Sequence, residues 1–222
     1  MDSASIQLGE PATTPSSSPP IGELDAGWAV AAGDAFAASH ADYPAFVAVF
    51  PDRARRHRGL RAFFTATVAD AAAHGLVHAA LDRRVVLGAA VWLPPGGFPW
   101  SPRRQLAAVP AFARVAAADP ARFPTFMRYG AAAQRAHPTD PHWYLVALGV
   151  RPEAQRSGLG SRLLQPVLAR ADRARIACHL ETSDRANVAF YTRFGFEVVD
   201  DDLALVPGGP THVAMRRPAA RS

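Results

Sequence analysis

The 222-residue chain is 49% hydrophobic and 19% charged, and its net charge of +5 is carried by arginine alone, with no lysine anywhere. That excludes a P-loop phosphate lysine, a Schiff-base lysine and a lysine base, and the single cysteine, Cys178, excludes an intrachain disulfide and a thiolate metal cluster. No apolar run nears the ~20 residues of a membrane-spanning helix, and Met1 to Glu10 lacks the basic start of a secretory signal, so a cytoplasmic protein without membrane contact is expected.

Residues 1–20 are rich in Ser, Thr and Pro and are expected to be a disordered tail, with one folded domain over 21–217 and a short tail over 218–222. Residues 26–39 are alanine-rich with Trp28, Val30 and Phe36, a helical pattern. Pro44 and Pro51 bracket a short apolar turn, and Asp52 reads as the N-cap of a helix reaching His74, stopped by Gly75. The arginines between Arg53 and Arg61 suit the solvated face of that helix, since Leu60, Phe63 and Phe64 serve its inner face. With no helix-turn-helix or finger pattern beside them, no nucleic-acid partner is expected.

Two strands follow, 76–81 and 85–93, antiparallel because their connection is too short for a crossover. The stretch Trp92 to Trp100 is aromatic and proline-rich. It suits either the wall of a substrate pocket, with Trp92 as candidate, or a rigid loop on the core. Residues 101–129 read as helical pieces interrupted at Pro110, Pro120 and Pro124. The second half alternates: strand 143–150, polar loop 151–157, helix 158–172 despite Pro166, strand 175–182, helix 187–194, then strands 196–200 and 211–216. A parallel βαβ unit is expected at its centre, with ligands at the strand C-terminal ends. Cys178, in the apolar run Ile176 to Leu180, reads as a buried strand residue.

The turn Leu148-Gly149-Val150-Arg151-Pro152-Glu153-Ala154-Gln155-Arg156-Ser157-Gly158-Leu159-Gly160-Ser161 has the skeleton QxxGxG between strand and helix. Glycines permit a tight turn, and the helix start leaves N–H groups unpaired at a positive dipole end, which suits a pyrophosphate. The glycine register is wrong for a dinucleotide GxGxxG.

That turn resembles the acetyl-CoA motif of the GCN5-related N-acetyltransferases, and Asn187 to Phe196 resembles the second hallmark of that family. The likeness extends towards the puromycin N-acetyltransferase branch through His142 to Val150, Leu180 to Ser183, Ala41 to Pro44 and Pro166. The resemblance implies an α/β fold: a mixed central sheet with antiparallel N-terminal strands and a central parallel βαβ unit whose strands splay apart, flanked by helices. It implies acetyl-CoA as acyl donor. Backbone groups of Leu148 and Val150 would hold the pantetheine arm, and Gln155, Arg156, Ser157, Gly158, Leu159, Gly160 and Ser161 the pyrophosphate. The basic side chain stands one place from its usual position, so its phosphate contact is not implied.

Direct attack by an amine needs a base and a donor for the leaving thiolate. The resemblance assigns the second role to Tyr191, whose phenol stays protonated at pH 7, and a cofactor-arm hydrogen bond to Asn187. Glu181, at the end of a central strand, is the candidate for attracting the cationic amine and relaying its proton, with His142 and Tyr144 as alternatives or pocket residues. The eight histidines show no paired metal-ligand spacing, so no metal is expected. The expected reaction is N-acetylation of a small primary amine, of which an aminonucleoside antibiotic is one class, by a monomer or homodimer. A non-catalytic acyl-CoA-binding module or a peptide N-acetyltransferase would share the pyrophosphate turn.

Overall fold

A computed structural model describes residues 19–220. The tail expected over 1–20 therefore lies almost wholly outside the described residues, as does the end of the C-terminal one. In chain order the elements are β1 (Ile21–Glu23), α1 (Ala29–Ser39), α2 (Pro44–Val49), α3 (Arg53–His74), β2 (Leu76–Asp82), β3 (Val85–Leu93), α4 (Pro102–Ala118) and α5 (Phe123–Ala136). Then come β4 (His142–Val150), α6 (Leu159–Ala174), β5 (Ala177–Thr182), α7 (Ala186–Thr192), β6 (Glu197–Leu203) and β7 (His212–Arg217). The short β1 carries no apolar alternation and was not expected; it pairs along β2. The break expected at Pro110 does not occur, because α4 runs through it. A proline there loses the N–H bond to the Leu106 carbonyl, and Leu106 lies on the exposed side of the helix, where water can take the place of that bond. Asp52 caps α3 as expected, accepting from Arg55 N–H at 2.8 Å.

The seven strands form one mixed sheet in the order β1-β2-β3-β4-β5-β7-β6. All neighbours are antiparallel except β4 and β5, joined in parallel through α6. One face packs on α1 and α3 around Phe36, Leu60, Phe64, Val77 and Val91. The other packs on α6 around Trp92, Trp143, Leu163, Leu164, Leu180 and Met215. A third group, Val49, Phe50, Val115 and Phe126, joins α2 to α4 and α5.

The central strands part for a local reason. β4 and β5 pair only over His142↔Ala177, Trp143↔Cys178 and Tyr144↔His179. On its other edge β4 stays paired to β3, but the register shifts between Val91↔Ala147 and Trp92↔Leu145. Val146 is the extra residue of that bulge. Side chains at 143 and 145 face α6, those at 144, 146 and 147 face α1 and α3, and those at 148 and 150 return to α6. The bulge thus reverses the alternation and bends β4 away from β5. Beyond Tyr144, its edge facing β5 carries free backbone groups.

One arginine departs from the expected solvated face. Arg56 is 4% exposed, and its guanidinium donates to the carbonyls of Ala41, Phe50 and Pro51, tying α3 to the α1–α2 and α2–α3 connections.

Candidate active site

A cavity of about 970 Å³ fills the parting of β4 and β5. One end is the turn into α6. Arg156 and Gly158 both have positive φ, at 60° and 81°, which aims the turn's backbone inward. No side chain caps α6 at Gly158, so its first N–H groups are available to an anion. Gln155, Arg156, Gly158, Leu159, Gly160 and Ser161 all line the cavity, as do Leu148 and Val150. Gln155 also braces the loop, its amide donating to Val150 O at 3.1 Å. Ser157 is outside the lining, and its hydroxyl donates to Ala154 O at 2.6 Å, a bond that does not involve the backbone N–H expected at the pyrophosphate. Gly149 is closely packed, since a Cβ there would run into Ser39 Oγ and stand 2.9 Å from Phe36 Cδ1.

The other end holds the titratable groups. Asn187 and Tyr191 lie on one face of α7, and both reach the cavity. The Asn187 amide donates to Thr182 Oγ1 at 3.4 Å. Tyr191 is 8% exposed, and burial pushes its phenol up, so it is protonated throughout the neutral range. Glu181 reaches the cavity with its side chain 8% exposed. Burial pushes its carboxyl up, but hydrogen bonds from His179 and Tyr144 and the nearby imidazoles outweigh it and hold the group below the ordinary carboxylate range. His179 Nε2 lies 2.9 Å from Glu181 Oε1. Tyr144 lines the cavity, as expected.

Two expected residues stand elsewhere. Trp92 is fully buried against α6 and outside the lining of this cavity, because its place in β3 turns it to the sheet face opposite Val91 and Leu93. His142 is buried and outside the lining, with Nδ1 2.7 Å from Asp140 O. Cys178 is buried, and burial raises its thiol to about 11, which suits a strand residue and no nucleophile.

Three contributors were not expected. Tyr43, just before α2, donates to Thr182 Oγ1 at 3.2 Å and accepts from Ser183 N at 2.7 Å, which fixes the end of β5. Tyr129 of α5 lies 3.3 Å from His212 Nε2. His40 lines the cavity, and burial lowers it to about 4, so it is neutral. The Tyr-Pro pair at 43–44 was legible only as part of the resemblance, while Tyr129 sits in the α4–α5 insert, where no motif marks it.

A second, apolar cavity of about 310 Å³ adjoins the first. Phe63, Phe98, Trp100, Phe112 and Phe126 line it, and Tyr129, Ala133, Tyr144 and Val146 are walls of both. The aromatic stretch after β3 therefore does line a pocket, through Phe98 and Trp100 instead of Trp92.

The Acetyltransferase (GNAT) family matches residues 42–196. Among solved structures, a Corynebacterium glutamicum protein described as histone acetyltransferase HPA2 and related acetyltransferase is 26% identical, with a TM-score of 0.65, covering 93% of this chain and 99% of that one. PaiA N-acetyltransferase from Thermoplasma acidophilum, in complex with coenzyme A, is 13% identical with a TM-score of 0.57 over 91% of this chain and 99% of that one. Arylalkylamine N-acetyltransferase 2 from Aedes aegypti is 12% identical with a TM-score of 0.55 over 90% of this chain and 98% of that one. At such identities the last two share the fold alone. No helix among the described residues is long and apolar enough to cross a membrane. The chain belongs to the GNAT acetyltransferase family, whose general reaction is acetyl transfer from acetyl-CoA.

Proposed function

We propose that this protein transfers the acetyl group of acetyl-CoA to the primary amine of a small molecule by direct attack within a ternary complex. The observation that carries this reading is the single cavity running from the uncapped start of α6, through the free edge of β4, to Tyr191 and Glu181. The N–H groups at the start of α6 meet the pyrophosphate, with the helix dipole adding to the attraction. The β4 edge at Leu148 and Val150 holds the pantetheine arm.

The ionised Glu181 carboxylate attracts the cationic amine and takes its proton, directly or through water, before the amine attacks the thioester carbon. The C–S bond then breaks, the Tyr191 phenol donates a proton to the departing thiolate, and the proton shed by the attacking nitrogen as it becomes the amide restores the phenol. No serine or cysteine nucleophile is needed, in keeping with the buried, protonated Cys178. The apolar cavity beyond Tyr129 and Tyr144 favours an acceptor with a ring system beside its amine. Aminonucleoside antibiotics have that chemistry, and the branch likeness of His142 to Val150 and Leu180 to Ser183 points the same way; resistance would be the consequence.

Release of free thiol from acetyl-CoA, measured across a panel of amines that includes puromycin, tests the reading. Amine-dependent thiol release is expected. Tight acetyl-CoA binding without thiol release from any amine would leave a sensing module in its place, and release only with peptide amino termini would make it a peptide acetyltransferase.

A further inference from the structure

Next to Glu181 lies a group of side chains with no part in acetyl transfer. His137 follows α5, His142 begins β4 and His179 sits on β5, and none of the three lines the large cavity. Their rings pack together, with centroids 4.8 Å apart for His137 and His142, 5.3 Å for His142 and His179, and 5.7 Å for His137 and His179.

The hydrogen-bond network assigns their tautomers. His142 Nδ1 faces the Asp140 carbonyl at 2.7 Å, so it carries the hydrogen and Nε2 accepts. His137 Nε2, 3.1 Å from that atom, is therefore the donor. His179 Nε2 donates to the Glu181 carboxylate. His137 Nδ1 and His179 Nδ1 are left as lone pairs, both buried and both without a hydrogen-bond partner among the described residues. An unmet buried acceptor destabilises the fold. At His137 Nδ1, in a cluster with a carboxylate, an electrophile would meet that need.

We propose that His137, His179 and Glu181 form a binding site for a divalent transition-metal ion of the zinc class. One donor atom from each of the three lies within 4.8 Å of the other two. Ligand atoms about 2.0–2.2 Å from a tetrahedral ion stand roughly 3.3–3.5 Å apart. His179 Nε2 and Glu181 Oε1 stand 2.9 Å apart and share one hydrogen, so the ion would take the place of that hydrogen, the ring proton passing to His179 Nδ1, and His137 would turn toward the pair. Two imidazoles and one carboxylate leave a fourth position for water, the ligand count of an open zinc site. Imidazole donors select Zn²⁺, Co²⁺ or Ni²⁺ over Mg²⁺ and Ca²⁺. Entry runs past His137, which is only partly buried beside the exposed Thr139 and Asp140.

Occupancy draws the Glu181 carboxylate away from the amine, so the metal inhibits transfer in competition with the acceptor. That clause alone rests on the proposed function; metal binding does not.

The test is titration of the metal-free full chain with Co²⁺ or Zn²⁺, without acetyl-CoA, followed by calorimetry and by the visible spectrum of Co²⁺. One equivalent is expected to bind at micromolar or lower concentration with a tetrahedral Co²⁺ spectrum, unaffected by millimolar Mg²⁺. His137→Gln and Glu181→Gln should each weaken binding by at least ~100-fold, beyond what loss of an outer-shell partner usually costs. His57→Gln, on the exposed face of α3, should change nothing. Should the buried His179→Gln fail to fold, the half-exposed His137→Gln still decides the matter. A wild-type chain with no saturable binding, or binding that survives both His137→Gln and Glu181→Gln, overturns the site. An amine KM unchanged by saturating Zn²⁺ overturns the competition.

Discussion

Tyr191→Phe separates donation to the leaving group from mere packing. The ring packs on Phe190 and Phe196, with centroids 5.1 and 5.9 Å away, and Phe keeps both contacts. The ring borders the cavity, and no hydrogen bond contributes to the raised phenol, so removing the hydroxyl strands no partner among the described residues. Stability should shift by less than about 0.5 kcal/mol. The rate is another matter. A positioned acid contributes roughly 10²–10⁴-fold. A thiolate, whose conjugate acid has a pKa near ~8.5, leaves without much help, which places the effect at the lower end. The expected loss in kcat is ~10²-fold, about 2.7 kcal/mol of barrier. Thiol release at saturating acetyl-CoA and amine gives kcat, and titration with coenzyme A gives binding, which should stay within about twofold of wild type. Equal loss of binding and turnover would make Tyr191 a wall of the cofactor slot. Turnover within twofold of wild type would remove it from the chemistry.

Gly149→Ala forces a methyl group against Ser39 Oγ and Phe36 where α1 meets β4. It should cost about 1–3 kcal/mol and lower Tm by roughly 3–10 °C in a thermal melt. Ala133→Phe projects a ring into the shared wall of the two cavities. It should raise KM at least ~10-fold for ring-bearing amines while sparing the smallest ones, and an equal effect on both would deny the second cavity a part in acceptor binding. Stability should also fall below pH ~6.5. Burial lowers His212 and His40 to about 4 in the fold, so between those pH values the unfolded chain takes up protons that the folded chain refuses. The slope approaches about 1.4 kcal/mol per pH unit for His212, which is 1% exposed, and less for the half-buried His40. Urea midpoints between pH 7 and 4.5 measure it, and His212→Gln should flatten the curve.

What the sequence revealed follows from where its signals are local. The turn from Val150 to Ser161 is legible because glycine, loop and helix start act on neighbouring residues. The apolar strand runs and the Asp52 cap are legible for the same reason. Faces were harder. Trp92 looks like a pocket residue in an aromatic stretch, yet alternation along β3 places it opposite Val91 and Leu93, and only the helices packed on each face tell which side is the cavity. The bulge at Val146 then reverses the alternation in β4, so counting by twos from Trp143 misplaces Ala147 and everything after it. The apolar cavity needs α3, α4, α5 and the Phe98–Trp100 loop at once, and nothing in any one of them announces it.

The histidines make the same point most sharply. His179 and Glu181 stand two apart on a strand, so they share a face, and that much could be read from position alone. Tyr144 is paired across from His179, and register brings it to the same carboxylate. His137 has no such relation, because it reaches the pair only through the turn from α5 into β4. Metal-ligand spacing looks for donors on one helix or one loop, and here they come from different elements that meet only where β4 and β5 are still paired. Glu181 stands just past the last of those pairs, where the strands begin to separate. One carboxylate oxygen is held by the paired end of the sheet while the residue still borders the cavity. In the roles proposed for it, that location would let a single glutamate serve an amine on one side and a cation on the other, so that occupying one side weakens the other.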